Sequence, residues 1–331
     1  MPFAIRFHQT GGPEVLRWEE VTVGDPAPGE VRVRHEAVGL NFIDTYHRMG
    51  LYPLPLPSGI GREGSGVVEA VGAGVSDFAV GDRIAYAGGP IGAYCQVRCL
   101  PAKGLLKLPD GIDFRTGAAM MLQGLTAAYL LRRTYCVQPG DVVLIHAAAG
   151  GVGLIACQWA KALGATVIGT VSTEAKAALA KQHGCDHVIL YSSEDVAKRV
   201  REITQGKGVA VVYDGVGKDT FMASLDSLRP RGMMVTFGNA SGAVPPFDPL
   251  TLTQKGSLFV TRPKLDDYTA SRDELLALGK ELFDVVLSGK VRIEVNQTYA
   301  LSDAASAHRD LEARKTTGSP LLLPWIELTT E

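Results

Sequence analysis

Residues 147–153, with the sequence AAAGGVG, form a glycine-rich loop between the apolar run 141–146 and a segment of helical character. Against the dinucleotide-binding pattern G-x-G-x-x-G, Ala148 replaces the first glycine, and Gly150 and Gly153 fill the second and third. The second glycine lets the backbone approach a pyrophosphate, and the third lets helix and strand pack closely. With the N–H groups of the helix N-terminus, the loop predicts a dinucleotide phosphate site. The alternative is a glycine-rich turn with a structural role only.

An acidic residue is missing where NAD-binding proteins usually have one. Such proteins place Asp or Glu about 20 residues beyond the loop, at the end of the second strand, to accept from the ribose hydroxyls. Here residues 169–173 read GTVST, and Glu174 is expected in the first turn of the next helix. Ser172, Thr173 and Lys176 could bind a 2′-phosphate, which a carboxylate would repel. The sequence therefore predicts NADPH, unless Lys176 is merely a solvated helix residue.

Alternating strands and helices surround this loop and must position it. Strands are predicted at 142–146, 165–171, 187–191, 209–214 and 232–237, with a sixth at 257–263. Helices are predicted between them at 151–163, 174–182, 194–204 and 218–228. Such alternation is typical of βαβ units, so we predict a doubly wound parallel sheet with right-handed crossovers.

The two ends of the chain have a different pattern. Alternating runs such as 30–40 and 66–87, bounded by glycines, predict a mostly antiparallel β domain in the first third. Near the end, Ser271 and Glu274 have the spacing of a capping box. The tail is predicted as a helix at 271–290, a strand near 295–301, a helix near 303–314 and a strand near 320–324. Because the doubly wound sheet is complete without the tail, we expect the tail to rejoin the first domain.

The fold class is therefore α/β, with a Rossmann sheet beside a mostly β domain. We place the Rossmann cofactor-binding domain at 124–263 and the catalytic domain at 1–123 and 264–331. The 331 residues are 46% apolar, carry a net charge of −2 and have a pI near 6.4, so neither nucleic acid nor a membrane surface is expected as a partner. Five cysteines and a start without the apolar core of a signal peptide favour a cytoplasmic location.

Two stretches of the first domain, 37–53 and 59–72, together with the glycine loop resemble the medium-chain dehydrogenase/reductase superfamily. Its zinc alcohol dehydrogenases carry a Cys after A-x-G-I and a His in G-H-E, where this chain has Asn41 and Arg62. Neither an amide nor a guanidinium is a normal zinc ligand. We therefore predict no metal site. Without a Lewis acid to polarise an alcohol, the chemistry should use an acceptor that is already electron-poor.

Four motifs, NFID, GREGSGVV, AAAGGVG and ARKTTGSPLLLP, resemble the zinc-free, zeta-crystallin-like quinone oxidoreductases of this superfamily over essentially the whole chain. The resemblance implies a GroES-like catalytic domain and hydride transfer from NADPH to a quinone. It also implies a homodimer, in which the exposed strand near 257–263 pairs with its twin.

The same resemblance implies the residues of the site. Asn41, Tyr46 and Tyr52 would line the pocket beside the nicotinamide, and one of them would hydrogen-bond the developing oxyanion of the acceptor. Besides Asn41, the implied cofactor contacts are Gln123, Thr126, Ala149, Gly150, Gly151, Val152, Gly153, Ser172, Lys176, Tyr191, Gly215, Val216, Phe237, Gly238, Ser241, Phe259, Val260, Arg262 and Arg314.

Other interpretations of these residues stay open at this point. Asn41 could simply cap a helix that starts at residue 42 and ends at Gly50, and Tyr46 and Tyr52 could be packing residues. Glu63 is expected to support the site rather than to transfer protons. The alternative enzyme is an NADPH-dependent enone or enal reductase. A function of another class would be an RNA-binding or structural, crystallin-like protein, against which the charge and the intact loop argue.

Overall fold

The computed structural model describes residues 1–326, which form two compact units. Unit 1 comprises Met1–Gln123, Ala270–Phe283 and the described chain from Ile293. Unit 2 comprises Gly124–Thr269 and Asp284–Arg292.

The elements of the described residues are numbered here in chain order. Strands β1 to β16 are Phe3–Phe7, Arg17–Glu20, Glu30–Gly39, Ser58–Gly59, Glu63–Val71, Arg83–Ala87, Val97–Pro101, Leu106–Lys107, Val142–Ile145, Thr166–Val171, His187–Leu190, Val209–Asp214, Leu228–Thr236, Phe259–Thr261, Thr298–Ala300 and Leu321–Leu323. Helices α1 to α10 are Phe42–Met49, Phe114–Tyr129, Gly151–Ala162, Glu174–Gln182, Val196–Ile203, Phe221–Ser227, Leu250–Gln254, Leu265–Tyr268, Arg272–Leu287 and Ala304–Glu312. Short 3₁₀ turns lie at Pro13–Val15, Ala102–Gly104 and Leu301–Asp303, and a π-helical turn at Leu130–Thr134 continues α2.

Unit 2 is built on a six-stranded sheet in the order β11-β10-β9-β12-β13-β14. Every neighbouring pair in it is parallel, which confirms the doubly wound sheet predicted from the sequence. The strand order reverses beside β9, and ligands of open α/β sheets bind at such a point, outside the carboxyl ends of the strands. The side chains of β9, β12 and the helices α5 and α6 share one apolar core, so the strand ends are held rigidly.

Several predicted boundaries in unit 2 shift because local capping and pairing set them. The helix predicted at 194–204 begins at Val196, since the Asp195 side chain accepts from the Lys198 N–H and acts as its N-cap. The strand predicted at 232–237 begins already at Leu228, which pairs with Val209. The sixth strand is short and lies at the edge of the sheet.

The second boundary between the units lies at 269/270, whereas the sequence pattern predicts it at 263/264. The reason is packing that has no local signal in the sequence. The Tyr268 ring of α8 stacks on Tyr129, with ring centroids 4.6 Å apart. Gln158 donates to the Arg292 carbonyl and accepts from its N–H at 2.9 Å each, which ties 284–292 to the same unit.

Unit 1 contains a seven-stranded sheet, in which β15-β16-β3-β5-β6-β8 are neighbours in that order and β7 also pairs with β3. Its pairs are antiparallel except for β15 with β16. Leu321 of β16 lies opposite Gly39 of β3, which brings the tail back to this sheet. A separate three-stranded sheet has the order β2-β1-β4. The alternating burial along β3 reflects a strand with one face on the apolar core.

Candidate functional site

The glycine loop of unit 2 joins β9 to α3, with Gly150 as the N-cap of the helix. A Cβ at Gly153 would overlap the Ala147 carbonyl oxygen and lie 2.8 Å from Ala148 Cα. A Cβ at Gly150 would meet only that oxygen, at 3.2 Å. Both contacts at residue 153 are with backbone, which cannot move aside. The third glycine is therefore sterically required for the helix to sit this close to the strand.

The residue that turns the loop is not the one aligned with the first glycine. Ala147 has a φ of 52°, in the left-handed region, and its carbonyl accepts from the Gly150 N–H at 2.9 Å. Ala147 directly precedes Ala148, the residue that replaces the first glycine of the pattern. Because a non-glycine residue in this region costs roughly 1–2 kcal/mol, the loop holds a small amount of backbone strain.

Backbone groups supply the chemistry of this loop. Gly151, Val152 and Gly153 occupy the first turn of α3, whose N–H groups have no acceptor within the helix. The partial positive charge of the helix N-terminus acts at the same place. Ala149 is buried beside them. The arrangement can bind an anion such as a pyrophosphate without a charged side chain.

A buried polar chain connects the ends of the strands beneath the loop. His146 follows β9, and its ring nitrogens lie 2.9 Å from Thr170 Oγ1 and 3.0 Å from Ser224 Oγ. Ser224 in turn donates to Asp214 Oδ2 at 2.9 Å. Burial lowers the pKa of His146, so the ring is held in its neutral form. This chain was not predicted from the sequence, because its members are far apart in the sequence and form no recognisable spacing.

The residues predicted around a 2′-phosphate follow the carboxyl ends of two neighbouring strands, at a place that we call the 2′-phosphate corner of the sheet. Ser172 follows β10 and Tyr191 follows β11, and these parallel neighbours end in register. The Thr173 hydroxyl accepts from the Lys176 N–H at 3.3 Å and caps α4, whose first turn contains Glu174 as predicted. The corner offers hydroxyl groups, an ammonium group and a helix N-terminus to an anion.

Two further loops, after β12 and β13, touch backbone to backbone. A Cβ at Gly238 would overlap the Gly215 carbonyl oxygen, and the Phe237 ring lies against Gly215. The Ser241 hydroxyl donates to the Val216 carbonyl at 2.9 Å and accepts from the Asp219 N–H at 3.0 Å. Ser241 therefore fixes one loop on the other, and a direct contact of its side chain with a cofactor stays a prediction.

The remaining predicted contacts of unit 2 lie near the edge strand β14 and on α2. Arg262 donates to Thr236 Oγ1 and to the Gly238 carbonyl, both at 2.9 Å, and so reaches the loops just described. Phe259 is 58% exposed, and Val260 is half-buried opposite Met234. Thr126 is buried on α2. Their roles toward a cofactor stay predictions.

Unit 1 contains a second candidate region, a cluster of four buried polar side chains that we call the amide cluster: Asn41, Glu63, Gln123 and Ser319. Asn41 Nδ2 donates to Glu63 Oε1 at 2.5 Å, and Gln123 Nε2 donates to Asn41 Oδ1 at 3.1 Å. Ser319 Oγ donates to Gln123 Oε1 at 2.5 Å. The residues come from the N-cap of α1, β5, α2 and the segment before β16. Glu63 thus contacts Asn41 directly, and its supporting role toward a site stays a prediction.

The carboxyl group of Glu63 has no solvent exposure. Its Oε2 accepts from the Leu122 N–H at 2.6 Å, and burial raises the pKa of Glu63 to about 8. A Cβ at Gly39 would overlap this carboxyl group, so residue 39 must be glycine for Glu63 to lie there.

Asn41 is the N-cap residue of α1, which ends at Gly50 as predicted. Its backbone N–H donates to Asp44 Oδ2 at 3.0 Å, while its side chain serves the amide cluster. Tyr94 also donates to Asp44, at 2.9 Å, and burial raises the pKa of Asp44 to about 7. The two interpretations of Asn41 are thus compatible, since backbone and side chain act separately.

The predicted tyrosines lie on and just after α1. Tyr46 is buried and Tyr52 is half-buried, and their rings meet edge to face with centroids 5.5 Å apart. The Tyr52 N–H donates to the Tyr46 carbonyl at 3.2 Å. The packing interpretation is therefore correct for the rings, and catalytic roles for their hydroxyl groups stay predictions. Arg314, with a φ of 58°, lies in the turn after α10, and its contact with a cofactor also stays a prediction.

A buried arginine fixes α1 to α10. Arg48, 1% exposed, donates to Glu312 Oε1 at 2.6 Å, to the Gly11 carbonyl at 3.1 Å and to His308 Nδ1 at 2.9 Å. Because arginine only donates, His308 Nδ1 must accept, and burial lowers the pKa of His308 to about 3. The helix α1 is therefore held in place by one ion pair and two further hydrogen bonds of Arg48.

Residues 1–326 contain no group of three or more His, Cys, Asp or Glu arranged to hold a metal ion. In the same range, no helix is long and apolar enough to cross a membrane.

Comparison with known proteins identifies the family. Residues 27–110 match the alcohol dehydrogenase GroES-like domain, and residues 151–265 match the zinc-binding dehydrogenase family. A quinone oxidoreductase of Pseudomonas aeruginosa is 58% identical over 321 residues, which cover 97% of this chain and 99% of the relative. The chain belongs to the quinone oxidoreductase family.

Two other relatives of this family add detail. The crystal structure of Escherichia coli quinone oxidoreductase complexed with NADPH superposes with a TM-score of 0.96 at 53% identity, over 97% of this chain and 100% of that one. A 2-haloacrylate reductase of a Burkholderia species is 52% identical, over 98% of this chain and 99% of its own. The GroES-like domain and the superfamily assignment predicted from the sequence are confirmed.

Proposed function

We propose that the chain is an NADPH-dependent quinone oxidoreductase, in which hydride passes from NADPH to a quinone or another small electron-poor acceptor. The observation that carries the proposal is the loop at 147–153. Its third glycine cannot carry a side chain, and its helix presents unbonded N–H groups to an anion. The E. coli relative, solved with NADPH, supports the same cofactor.

The residues present fit NADPH. The N–H groups of 151–153 would hold the pyrophosphate, and Ser172, Lys176 and Tyr191 would surround the 2′-phosphate. The corner at the end of β10 bears no carboxylate before Glu174, which favours a phosphate over a free hydroxyl. When bound, NADPH supplies the hydride, and the protein supplies position and exclusion of water.

Asn41, Tyr46 and Tyr52 are proposed to contact the acceptor. An amide N–H or a phenol O–H can donate to the oxyanion that develops as hydride arrives, and a fixed donor stabilises that charge best. The amide cluster fixes Asn41 through both its oxygen and its nitrogen. Water is proposed as the proton source for the hydroquinone.

Zinc independence, dimerisation and a cytoplasmic location are further parts of the proposal. Asn41 and Arg62 stand at the zinc-ligand positions of the alcohol dehydrogenases. The edge strand β14 leaves one side open for pairing with a second copy. The five cysteines are free thiols, in keeping with a reducing compartment. A monomer in light scattering would contradict the dimer.

The experiment compares NADPH with NADH oxidation by 1,4-benzoquinone on metal-stripped protein. We expect rapid, quinone-dependent oxidation of NADPH and weak oxidation of NADH. Lys176→Glu should lower kcat/KM for NADPH by about tenfold or more, while Lys181→Glu, on the same helix and exposed, should leave it unchanged. Equal use of both cofactors by the unmodified protein would contradict the proposed 2′-phosphate corner.

The second candidate function is reduction of an electron-poor alkene, which the 2-haloacrylate reductase favours. This reaction needs hydride at one carbon and a proton at its neighbour. Adding 2-cyclohexenone and a 2-haloacrylate as acceptors separates the two functions. Turnover of these alkenes without turnover of benzoquinone would replace the quinone proposal.

A further inference from the structure

The amide cluster has one fixed point, the backbone N–H of Leu122. An N–H group can only donate, so Glu63 Oε2, 2.6 Å away, must accept whatever the charge of Glu63. A proton on this carboxyl group therefore belongs on Oε1, which faces Asn41.

This fixed point gives the cluster two complete hydrogen-bond patterns. With Glu63 ionised, donation runs from Ser319 to Gln123, from Gln123 to Asn41, and from Asn41 to Glu63. With a proton on Oε1, Glu63 becomes the donor, and Asn41 must present its oxygen there instead of its nitrogen. The Asn41 nitrogen then faces Gln123, whose amide must turn over as well and donate to Ser319. Each bond between these four side chains is kept with its direction reversed, and the Ser319 hydroxyl proton is released from Gln123 to another acceptor.

We propose that Glu63 is a positioning residue: gain or loss of its proton reverses this chain and turns over the Asn41 amide. The proton is exchanged with water, and no other bond is made or broken. As a consequence, the side-chain N–H of Asn41 that is not bonded within the cluster points in a different direction in the two patterns. The consequence for catalysis rests on the proposed function, in which Asn41 donates to the acceptor.

The surroundings of Glu63 make both charge states accessible near neutral pH. Burial raises its pKa to about 8, the bonds from Asn41 and Leu122 oppose that change, and the charge of Asp44 adds to it. Tyr86 and Tyr94 also interact electrostatically with this carboxyl group. Both tyrosines are buried with raised pKa values, so they stay neutral over the same range. The charge of Arg62, next to Glu63 in the chain, lowers the pKa values of Asp44 and His47.

The composition of the chain offers a direct test. The sequence contains only three asparagines, Asn41, Asn239 and Asn296. Protein labelled with ¹⁵N in asparagine therefore gives three side-chain amide signals, of which Asn41→Ser identifies one. We expect the Asn41 signals to move with an ionisation near pH 8 that is distinct from that of Asp44 near pH 7, and the other two to stay in place.

Glu63→Gln should lock the reversed pattern. Because the Leu122 N–H faces this group and can only donate, the oxygen of the new amide must face it, and the nitrogen of that amide must donate to Asn41. The Asn41 signals of this variant should match the low-pH signals of the unmodified protein from about pH 6 to about pH 9.5. Glu69→Gln, a half-exposed glutamate on the same strand, is the matched control and should keep the titration.

The spectra decide the proposal without any turnover. Asn41 signals that do not titrate in the unmodified protein would overturn it, as would signals of Glu63→Gln that match the high-pH form. The activity experiment is separate: kcat with benzoquinone should follow the same ionisation, and Glu63→Gln should lose that pH dependence. If the Asn41 signals titrate but kcat does not change over the same pH range, Glu63 still positions Asn41, and Asn41 is not the donor in the proposed function.

Discussion

The glycine loop of unit 2 and the amide cluster of unit 1 differ in the groups that form them. The loop uses backbone N–H groups, a helix N-terminus and glycines that no side chain can replace. The cluster uses side chains, and its central carboxyl group has a pKa raised by burial. A site made of backbone has a fixed charge at every pH, whereas a site made of buried titratable groups can change with pH. Substitutions should therefore affect binding in one region, and pH dependence in the other.

The largest expected effect is the loss of cofactor binding in Gly153→Val. The new side chain would meet the backbone of Ala147 and Ala148, so α3 must move away from β9 and take its N–H groups with it. We expect the Kd for NADPH, measured by fluorescence titration, to rise by about 100-fold or more.

Gly150→Ala provides the comparison, because its Cβ meets a single oxygen at 3.2 Å. We expect the Kd for NADPH to rise less in Gly150→Ala than in Gly153→Val. Equal losses in both variants would mean that the close approach of helix to strand does not decide binding.

Arg48→Met should have the next largest effect, on stability. The substitution leaves Glu312, His308 Nδ1 and the Gly11 carbonyl without their donor. Removing one partner of a fully buried ion pair costs about 3–5 kcal/mol. Because the Glu312 side chain is 30% exposed, we expect a loss near the lower end of that range, to be measured by urea unfolding. Arg309→Met, at an exposed position of α10, should cost little. A neutral Arg48→Met would contradict the anchoring role given to this residue.

A third prediction concerns the pH dependence of stability. The folded-state pKa of Glu63, about 8, exceeds its ordinary value of 4.5, so folding favours the protonated form. Its stabilising contribution is complete below about pH 4.5 and is lost as the pH rises to about 8. We expect the free energy of unfolding of Glu63→Gln, relative to that of the unmodified protein, to increase between about pH 5 and about pH 8. Above about pH 8 this difference should remain constant. Parallel curves would show that Glu63 has an ordinary pKa.

The smallest predicted effect concerns the turn of the loop. Ala147 is exposed and has a φ of 52°, so Ala147→Gly relieves strain without loss of packing. Relief of roughly 1–2 kcal/mol is partly offset by the greater freedom of glycine in the unfolded chain, roughly 0.5–1 kcal/mol. We expect thermal unfolding to show a net gain of about 1 kcal/mol or less. Ala147→Val should destabilise the protein, and a gain there would contradict the left-handed conformation.

The parallel sheet, the loop and the capped helices can be predicted from the sequence, because these depend on neighbours within a few residues. Alternation of strands and helices predicts the sheet, and Ser271 with Glu274 forms the capping box its spacing indicates. The left-handed conformation of Ala147, by contrast, has no signal in the glycine pattern. Backbone dihedral angles follow from the whole βα connection, and a glycine pattern alone does not fix them.

Which polar side chains meet depends on contacts between distant segments of the chain. Ser319 and Gln123 bond across 196 positions of sequence, and His146 reaches Ser224 across 78. No local pattern marks such pairs, since a buried polar group needs a partner but its own sequence neighbours do not say which. The raised pKa of Glu63 arises in the same way, because burial and donors are properties of the folded chain. Local periodicity therefore determines the elements, and long-range packing determines the chemistry that they bring together.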